Sequence, residues 1–207
     1  MTGGVRPISL EPVVLEGDFV RLEPMTLEHH SGLSEVGLDP EIWRLTTVMI
    51  RTPEEMRSYM ESALSLQREG TTLPFATIER SSGRIVGSTR FGNYDPANRR
   101  IEIGWTWLER SHWGTGANIE TKYLLLRNAF EKWGAMRVEF KTDARNLRVR
   151  GALLGIGASF EGIFRKHMVL PDSIRDSAWY AIVDDDWPAV KALLERKIQQ
   201  HAGASRR

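Results

Sequence analysis

The sequence predicts one domain with a mixed α/β (α+β) fold, in which a single, mostly antiparallel sheet of about seven strands carries helices on both faces. Three observations support this fold class. The 207 residues are enough for one hydrophobic core. Period-two alternation of apolar residues between positions 75 and 108 predicts consecutive antiparallel strands. Helical periodicity lies on both sides of that region, and no repeat or long linker divides the chain.

The N-terminal part of the chain contributes one strand and two helices. Residues 1–16 contain glycines and prolines with little periodicity, which predicts a loose terminus. The alternation in Phe19–Pro24 predicts a strand, and a helix follows from Thr26. Thr52 is a suitable N-cap, with proline and acidic residues in the first turn after it. A second helix is therefore expected over residues 53–70.

Three antiparallel strands are predicted next, over Phe75–Ile78, Ile85–Phe91 and Ile101–Leu108. The turns between them are Ser81–Arg84 and Asn93–Asn98, which are rich in Ser, Gly, Asn and Asp. Regular alternation in the third strand predicts one face with Ile101, Ile103, Trp105 and Trp107 and an opposite face with Glu102, Gly104 and Thr106.

The C-terminal part alternates helices and strands. An amphipathic helix is expected from about Gly116 to the residue before Gly134. The remaining elements are a strand at 137–142, a helix at 147–156, strands at 159–168 and 178–183, and a last helix at 187–200. The predicted domain therefore covers residues 17–186, the last helix follows it, and residues 201–207 form a loose end.

The composition excludes several classes of protein. Twenty-eight Lys and Arg against 27 Asp and Glu leave a net charge of +1, without the cationic field of a general nucleic-acid or membrane binder. The absence of cysteine excludes a disulfide framework and a Cys-based metal site. Residues 1–11 lack the apolar run of a leader peptide. We therefore expect a cytoplasmic protein that binds neither nucleic acid nor membrane.

A glycine-containing turn joins the third strand of the sheet to the long helix. Gly114 and Gly116 let the backbone turn tightly, and the helix start presents N–H groups that suit a phosphate. A P-loop would need Lys and Ser or Thr after the glycines, and a Rossmann fingerprint would need a small residue at Ile119. The local residues leave two interpretations open, a phosphate-binding turn and a simple connection.

The order of elements and this turn together resemble the GCN5-related N-acetyltransferases (the GNAT superfamily), most closely its RimJ/RimL-type branch. The resemblance covers roughly residues 17–186 and rests on Glu102–Trp105, Trp113–Gly116, Asn146 and Gly157–Gly162. It implies the GNAT fold and an acyltransferase that moves an acetyl group from acetyl-CoA to a primary amine in a ternary complex. That amine is either the α-amine of a protein N-terminus or a small-molecule amine.

The resemblance also implies how acetyl-CoA binds. Backbone N–H groups near Trp107 and Leu108 would face the thioester oxygen, and Asn146 would contact the pantetheine arm. The alternative for Asn146 is a helix N-cap without a ligand. Ser111 stands where the family most often has Gln or Arg. The residues expected to hold the pyrophosphate form the coenzyme turn, which consists of His112, Trp113, Gly114, Thr115, Gly116 and Ala117.

Acetyl transfer to an amine calls for a base and an acid. Glu102 is the expected base, because it lies mid-strand opposite the apolar face and a family Glu often has this role. The alternative is a strand residue in an ion pair with Arg99 or Arg100. The family's acids, a Tyr or a Ser, are replaced here by Leu153 and Val149. The residues therefore also allow an acyl-CoA-binding sensor or scaffold with little or no turnover.

The remaining expectations concern the acceptor and other ligands. Trp43 lies between the first helices, where the family shapes its acceptor cleft, and either contacts the acceptor or packs in the core. Seven Lys or Arg against three Asp or Glu between Arg137 and Lys166 predict a basic surface for the coenzyme phosphates. The histidines lack ligand spacing, so no metal is expected. A homodimer is possible.

Overall fold

The computed structural model describes residue 8 and residues 10–204. Its strands form one eight-stranded sheet in the order β1-β2-β3-β4-β5-β6-β8-β7, in which only β5 and β6 are parallel neighbours. The strands are β1 (Leu15–Glu16), β2 (Val20–Pro24), β3 (Leu73–Glu79), β4 (Ile85–Asp95), β5 (Arg100–Leu108), β6 (Arg137–Asp143), β7 (Ser159–Leu170) and β8 (Ser173–Val183).

Six α-helices accompany the sheet in the described residues. None of them is long and apolar enough to cross a membrane. A short π-helical stretch, Asn128–Lys132, continues the fourth helix. The helices are α1 (His30–Gly37), α2 (Pro40–Trp43), α3 (Pro53–Arg68), α4 (Gly116–Arg127), α5 (Leu147–Gly155) and α6 (Trp187–Ala204).

The predicted fold class is confirmed, with one more strand than expected. The extra strand β1 is only two residues long, and Leu15 pairs with Leu22. It falls in the segment that the sequence predicts as a loose terminus, because two residues are too few to show a period. Residues 1–7 and 9 of that segment lie outside the described residues, as do residues 205–207 at the other end. Helix α6 continues to Ala204, beyond its expected end.

The sheet separates two hydrophobic cores. The first core lies under α4, α5 and α6 and includes Ile101, Ile103 and Phe140. The second core lies under α1, α2 and α3 and includes Trp43 and Trp107. The helices therefore cover both faces, as the sequence predicts.

A β-bulge in β5 changes which residues share a face. Ser88 pairs with Trp107 and Arg90 with Gly104, so Thr89 alone lies opposite both Trp105 and Thr106. Trp105 has φ +50°, which marks the extra residue. An extra residue reverses the alternation after it. The prediction that Trp107 shares a face with Ile101 and Ile103 is therefore wrong. Trp107 packs in the second core, while Ile101 and Ile103 pack in the first.

The sheet opens between its two parallel strands. Pairing of β5 with β6 covers only Arg100–Glu102 against Arg137–Glu139. After these residues the strands separate, and we call the space between residues 103–108 of β5 and residues 140–143 of β6 the strand gap. Helix α4 starts shortly after the C-terminal end of β5. The gap and the start of α4 are the two features around which the candidate site is built.

Candidate active site

The coenzyme turn leads directly into α4, and the helix begins at Gly116 as predicted. Thr115 is the N-cap: its hydroxyl accepts the N–H of Ala117 at 3.3 Å and donates to the carbonyl of His112 at 2.9 Å. The first N–H groups of any helix lack partners within the helix. The turn therefore presents backbone donors at the positive end of the α4 dipole, which suits a phosphate group.

The two glycines of the turn are favoured for different reasons. Gly114 has φ +75°, and a Cβ built there would meet nothing within 4 Å. Its backbone conformation favours glycine, and the space beside it is open. At Gly116 a Cβ would lie 3.1 Å from both Phe19 and His201, so a larger residue would have to displace these two side chains. The open side of the turn is therefore at Gly114.

Side chains of the turn fix it to its surroundings. His112 Nε2 lies 3.1 Å from Glu79 Oε1. The indole N–H of Trp113 donates to the carbonyl of Leu108 at 2.9 Å, and the guanidinium of Arg148 lies 3.7 Å from the centre of its ring. Arg148 belongs to the first turn of α5. Trp113 thus brings together the two segments that the sequence predicts to hold the coenzyme.

The backbone N–H groups of Trp107 and Leu108, at the end of β5, point in opposite directions. Glu109 donates its N–H to Val86 on β4 at 2.8 Å. Alternation along an antiparallel strand then directs the N–H of Leu108 away from β4, toward the strand gap, and the N–H of Trp107 toward β4. The N–H of Leu108 faces the strand gap, and its contact with a thioester oxygen stays a prediction. The N–H of Trp107 faces β4 instead, and its indole packs in the second core.

Asn146 is the N-cap of α5, which is one of its two expected roles. Its Oδ1 accepts the N–H of Val149 at 3.1 Å. The amide NH2 group is a separate donor. Val149 and Leu153, at the two positions where the family has an acid, carry no hydroxyl, and both pack with the first core.

Glu102 is the last residue of β5 that pairs with β6, and it lies at the base of the strand gap. Its side chain is 2% exposed. Oε2 accepts from Asn93 Nδ2 at 2.5 Å and from Lys141 Nζ at 2.9 Å. A Cβ at Gly104 would lie 2.7 Å from Oε1, so the glycine leaves room for this oxygen. The carboxylate is thus held by one oxygen, with the other over Gly104.

The predicted ion pair of Glu102 with Arg99 or Arg100 is wrong. Arg99 donates to the carbonyl of Gly134, and Arg100 pairs with Asp95 and Glu139. The partner is Lys141, which lies two residues beyond Glu139 on the neighbouring strand β6. Only the pairing of β5 with β6 brings these two residues together.

Trp43 lies in the second core and not on the surface of a cleft. It is 3% exposed, its indole N–H donates to the carbonyl of Gly37 at 2.7 Å, and its ring centre is 5.2 Å from that of Trp107. The expectation that Trp43 contacts an acceptor is corrected accordingly: it supports the second core behind β5.

Part of the predicted basic surface is neutralised by ion pairs. Within the stretch from 137 to 166, three cations are paired with carboxylates, and Arg148 stacks on Trp113. The pairs are Arg137 with Glu139 and Glu161, Lys141 with Glu102, and Arg145 with Asp143. Arg148 is therefore the cation of this stretch that lies at the coenzyme turn.

The sequence analysis does not identify one charged residue that lies at the strand gap, Lys122. Lys122 on α4 is buried, and its Nζ donates to Thr106 Oγ1 at 2.7 Å. Thr106 Oγ1 in turn lies 2.8 Å from Thr89 Oγ1. The bulge in β5 turns Thr106 toward α4, and the sequence carries no sign of that bulge.

Known proteins share this architecture. The sequence profile described as "Acetyltransferase (GNAT) domain" matches residues 20–159. A GCN5-related N-acetyltransferase from Brucella melitensis is 29% identical, with 96% of this chain and 90% of that chain covered and a TM-score of 0.87. A structure from T. thermophilus assigned to the acetyltransferases is 38% identical over 89% of this chain and 96% of that one, with a TM-score of 0.81.

RimL, the ribosomal L7/L12 alpha-N-protein acetyltransferase solved with coenzyme A, shares the fold. It is 18% identical, with 84% of this chain and 99% of that chain covered and a TM-score of 0.72. The curated protein sequences contain no match. The profile spans most of the chain, and it includes the strand gap, the coenzyme turn and Asn146. This chain therefore belongs to the GNAT acetyltransferases, which transfer acetyl groups from acetyl-CoA.

Proposed function

We propose that this protein is an N-acetyltransferase that binds acetyl-CoA and a primary amine together and joins them directly. The acceptor is either the α-amine of a protein N-terminus, as in RimL, or a small-molecule amine. One observation carries the proposal: the open turn at Gly114, the N–H of Leu108 and the carboxylate of Glu102 follow one another along β5 and into α4.

The residues present fit acetyl-CoA. The open side of Gly114 and the start of α4 suit the pyrophosphate, and the Leu108 N–H points into the gap where a thioester would lie. Arg148, stacked on Trp113, adds a cation at the same place. When bound, acetyl-CoA supplies an acetyl group activated as a thioester.

The chain's own groups have separate tasks in this reaction. Glu102 accepts a proton from the acceptor amine, directly or through water, while Lys141 and Asn93 hold its other oxygen in place. The Leu108 N–H stabilises negative charge that develops on the carbonyl oxygen. Holding both reactants in the gap also lowers the barrier by several kcal/mol, because the reacting atoms are already oriented.

A second candidate function is an acyl-CoA sensor or scaffold, because Val149 and Leu153 offer no acid. Two measurements separate the candidates. Acetyl-CoA at 100 times its Kd should stabilise either form by about 2.7 kcal/mol in a thermal shift assay. Only the enzyme releases free coenzyme A when amines and peptides are added. The chain has no cysteine, so thiol detection has no background from the protein.

Replacing Gly114 with Val should weaken acetyl-CoA binding more than tenfold, which corresponds to about 1.4 kcal/mol. The Val side chain would fill the open side of the turn and strain a residue with φ +75°. Isothermal titration with acetyl-CoA measures the change.

Gly70→Val is the matched control for backbone strain. Gly70 has φ +72° and also has open space around it, but it lies at the end of α3, away from the turn. Both variants should lose similar stability, and only Gly114→Val should lose affinity. Equal affinities in the two folded variants would contradict the assignment of the turn.

Two variants of Asn146 separate its cap from its proposed ligand contact. Asn146→Ser keeps an N-cap hydroxyl but removes the amide NH2, so stability should stay and the Kd for acetyl-CoA should rise about fivefold, the cost of one hydrogen bond near 1 kcal/mol. Asn146→Ala should lose both. If Asn146→Ser binds acetyl-CoA like the parent, Asn146 is a cap only.

A further inference from the structure

The strand gap contains a buried amine with an unexplained position. Lys122 projects from the second turn of α4 and is 6% exposed. Its Nζ donates to Thr106 of β5 at 2.7 Å and lies 5.7 Å from the centre of the Phe140 ring on β6. The amine therefore lies between the two strands at the level where they have separated.

No carboxylate in the described part of the chain forms an ion pair with Lys122. From β5 the charge that acts on it is Glu102, which is itself paired with Lys141 of β6. From β4 the neighbouring group is the neutral Thr89, and Glu120 on the same helix is turned toward the backbone N–H groups of residues 18–20. The hydrogen bond that the amine donates goes to a neutral hydroxyl.

This environment makes Lys122 a poor structural residue. A buried ammonium without a close counter-charge costs free energy, and an apolar side chain of similar size would be more favourable. Burial lowers the pKa of Lys122 to about 7, and the negative charge of Glu102 opposes that shift. The group can therefore hold or release a proton near neutral pH.

The reaction has a step that needs such a group. The departing thiolate of coenzyme A must gain a proton. The family acid positions are Val149 and Leu153, and the hydroxyl of Tyr180 is buried with the guanidinium of Arg150 bonded to it at 3.0 Å. None of these three residues is suited to protonate a sulfur in the gap.

We propose that Lys122 is the general acid, whose ammonium protonates the coenzyme A thiolate as the product forms. This inference rests on the proposed function. The amine nitrogen bonds to the acetyl carbon, the carbon–sulfur bond breaks with its electron pair on sulfur, and the ammonium of Lys122 transfers one proton to that sulfur. Glu102 or water receives the proton that the acceptor nitrogen loses. Lys122 regains its proton from solvent after the products leave.

The experiment compares the parent with Lys122→Met and Lys122→Arg. The assay measures thiol release with the most active acceptor from a panel of N-terminal serine and alanine peptides, free amino acids and spermidine. Lys122→Met should lower kcat by about 10²-fold, within the usual range for a lost acid, while the Kd for acetyl-CoA stays the same. Lys122→Arg should remain slow, because a guanidinium keeps its proton.

A pH profile separates this role from a structural one. The parent's kcat should fall at alkaline pH as the ammonium is lost, and this limb should be missing in Lys122→Met. The dependence of folding stability on pH gives a second readout. Unfolded lysine has a pKa near 10.4, so between about pH 7 and pH 10 the unfolded parent binds more protons at this site and the parent's stability should rise with pH. Lys122→Met should lack this part of the rise.

Three outcomes would contradict the proposal. If Lys122→Met turns over like the parent, Lys122 is not the acid. If Lys122→Arg restores kcat, a fixed positive charge is sufficient and proton transfer is excluded. If the parent binds acetyl-CoA but releases no thiol with any acceptor, the proposed function itself fails, and the acid role fails with it. The first two outcomes leave the proposed function standing, since the parent is active in both.

Discussion

Glu102→Gln is expected to lower turnover by about 10²–10⁴-fold at neutral pH and to leave acetyl-CoA affinity nearly unchanged. The substitution keeps the shape of the side chain at the base of the gap and removes only the proton acceptor. Because a protonated amine becomes neutral by itself at high pH, the deficit should shrink as the pH approaches the pKa of the acceptor. Measurement of kcat by thiol release across this pH range checks the prediction.

The ion pair with Lys141 makes a control necessary, because breaking a buried pair lowers stability by itself. Glu139→Gln is a suitable match. Glu139 is a buried carboxylate opposite Glu102 in the β5–β6 register, and it is paired with Arg137. Both variants should lose stability, and only Glu102→Gln should lose turnover. If both variants have the parent's kcat, Glu102 stabilises the sheet and is not the catalytic base.

The sequence predicts the fold well, because its signals are local. Capping residues, glycine turns and period-two alternation depend on neighbours in the chain, so the three central strands and the starts of α3 and α4 lie where they are expected. The bulge at Trp105 shows the limit. A tryptophan with φ +50° carries no sequence signal, since bulky residues rarely adopt that conformation. Alternation therefore fails after it and assigns Trp107 to the wrong core.

Contacts between distant elements explain the other differences at the site. Glu102 and Lys141 meet because β5 and β6 are parallel neighbours for only three residues, which a single sequence does not show. Tyr123 lies in the helix that the sequence predicts as amphipathic, but its ring is only partly buried and its hydroxyl bonds to Glu195 of α6. Helix α4 lies between the sheet and α6, so charged residues such as Lys122 are buried in it as well.

Glu120 shows how a charged residue inside α4 stabilises the fold. Its carboxylate is buried and accepts three backbone N–H groups, from Asp18 at 2.8 Å and from Phe19 and Val20 at 2.7 Å each. A Cβ at Gly17 would lie 2.2 Å from its carboxyl carbon, so the glycine makes room for it. These bonds join the start of β2 to a helix about a hundred residues later in the chain.

Glu120→Ala should lower the free energy of unfolding by about 3–5 kcal/mol, because it leaves buried N–H groups without an acceptor. For a chain of this length that corresponds to a fall in Tm of roughly 10 °C, measured by calorimetry. Glu61→Ala, which removes an exposed helical Glu, should change stability by less than about 0.5 kcal/mol.

Gly17→Ala tests the contact between Gly17 and Glu120 from the other side. It should destabilise the parent, because the added methyl group would collide with the carboxylate, and it should cost much less stability in the Glu120→Ala background. Additive losses in that double-mutant cycle would show that Glu120 does not hold the β1–β2 turn.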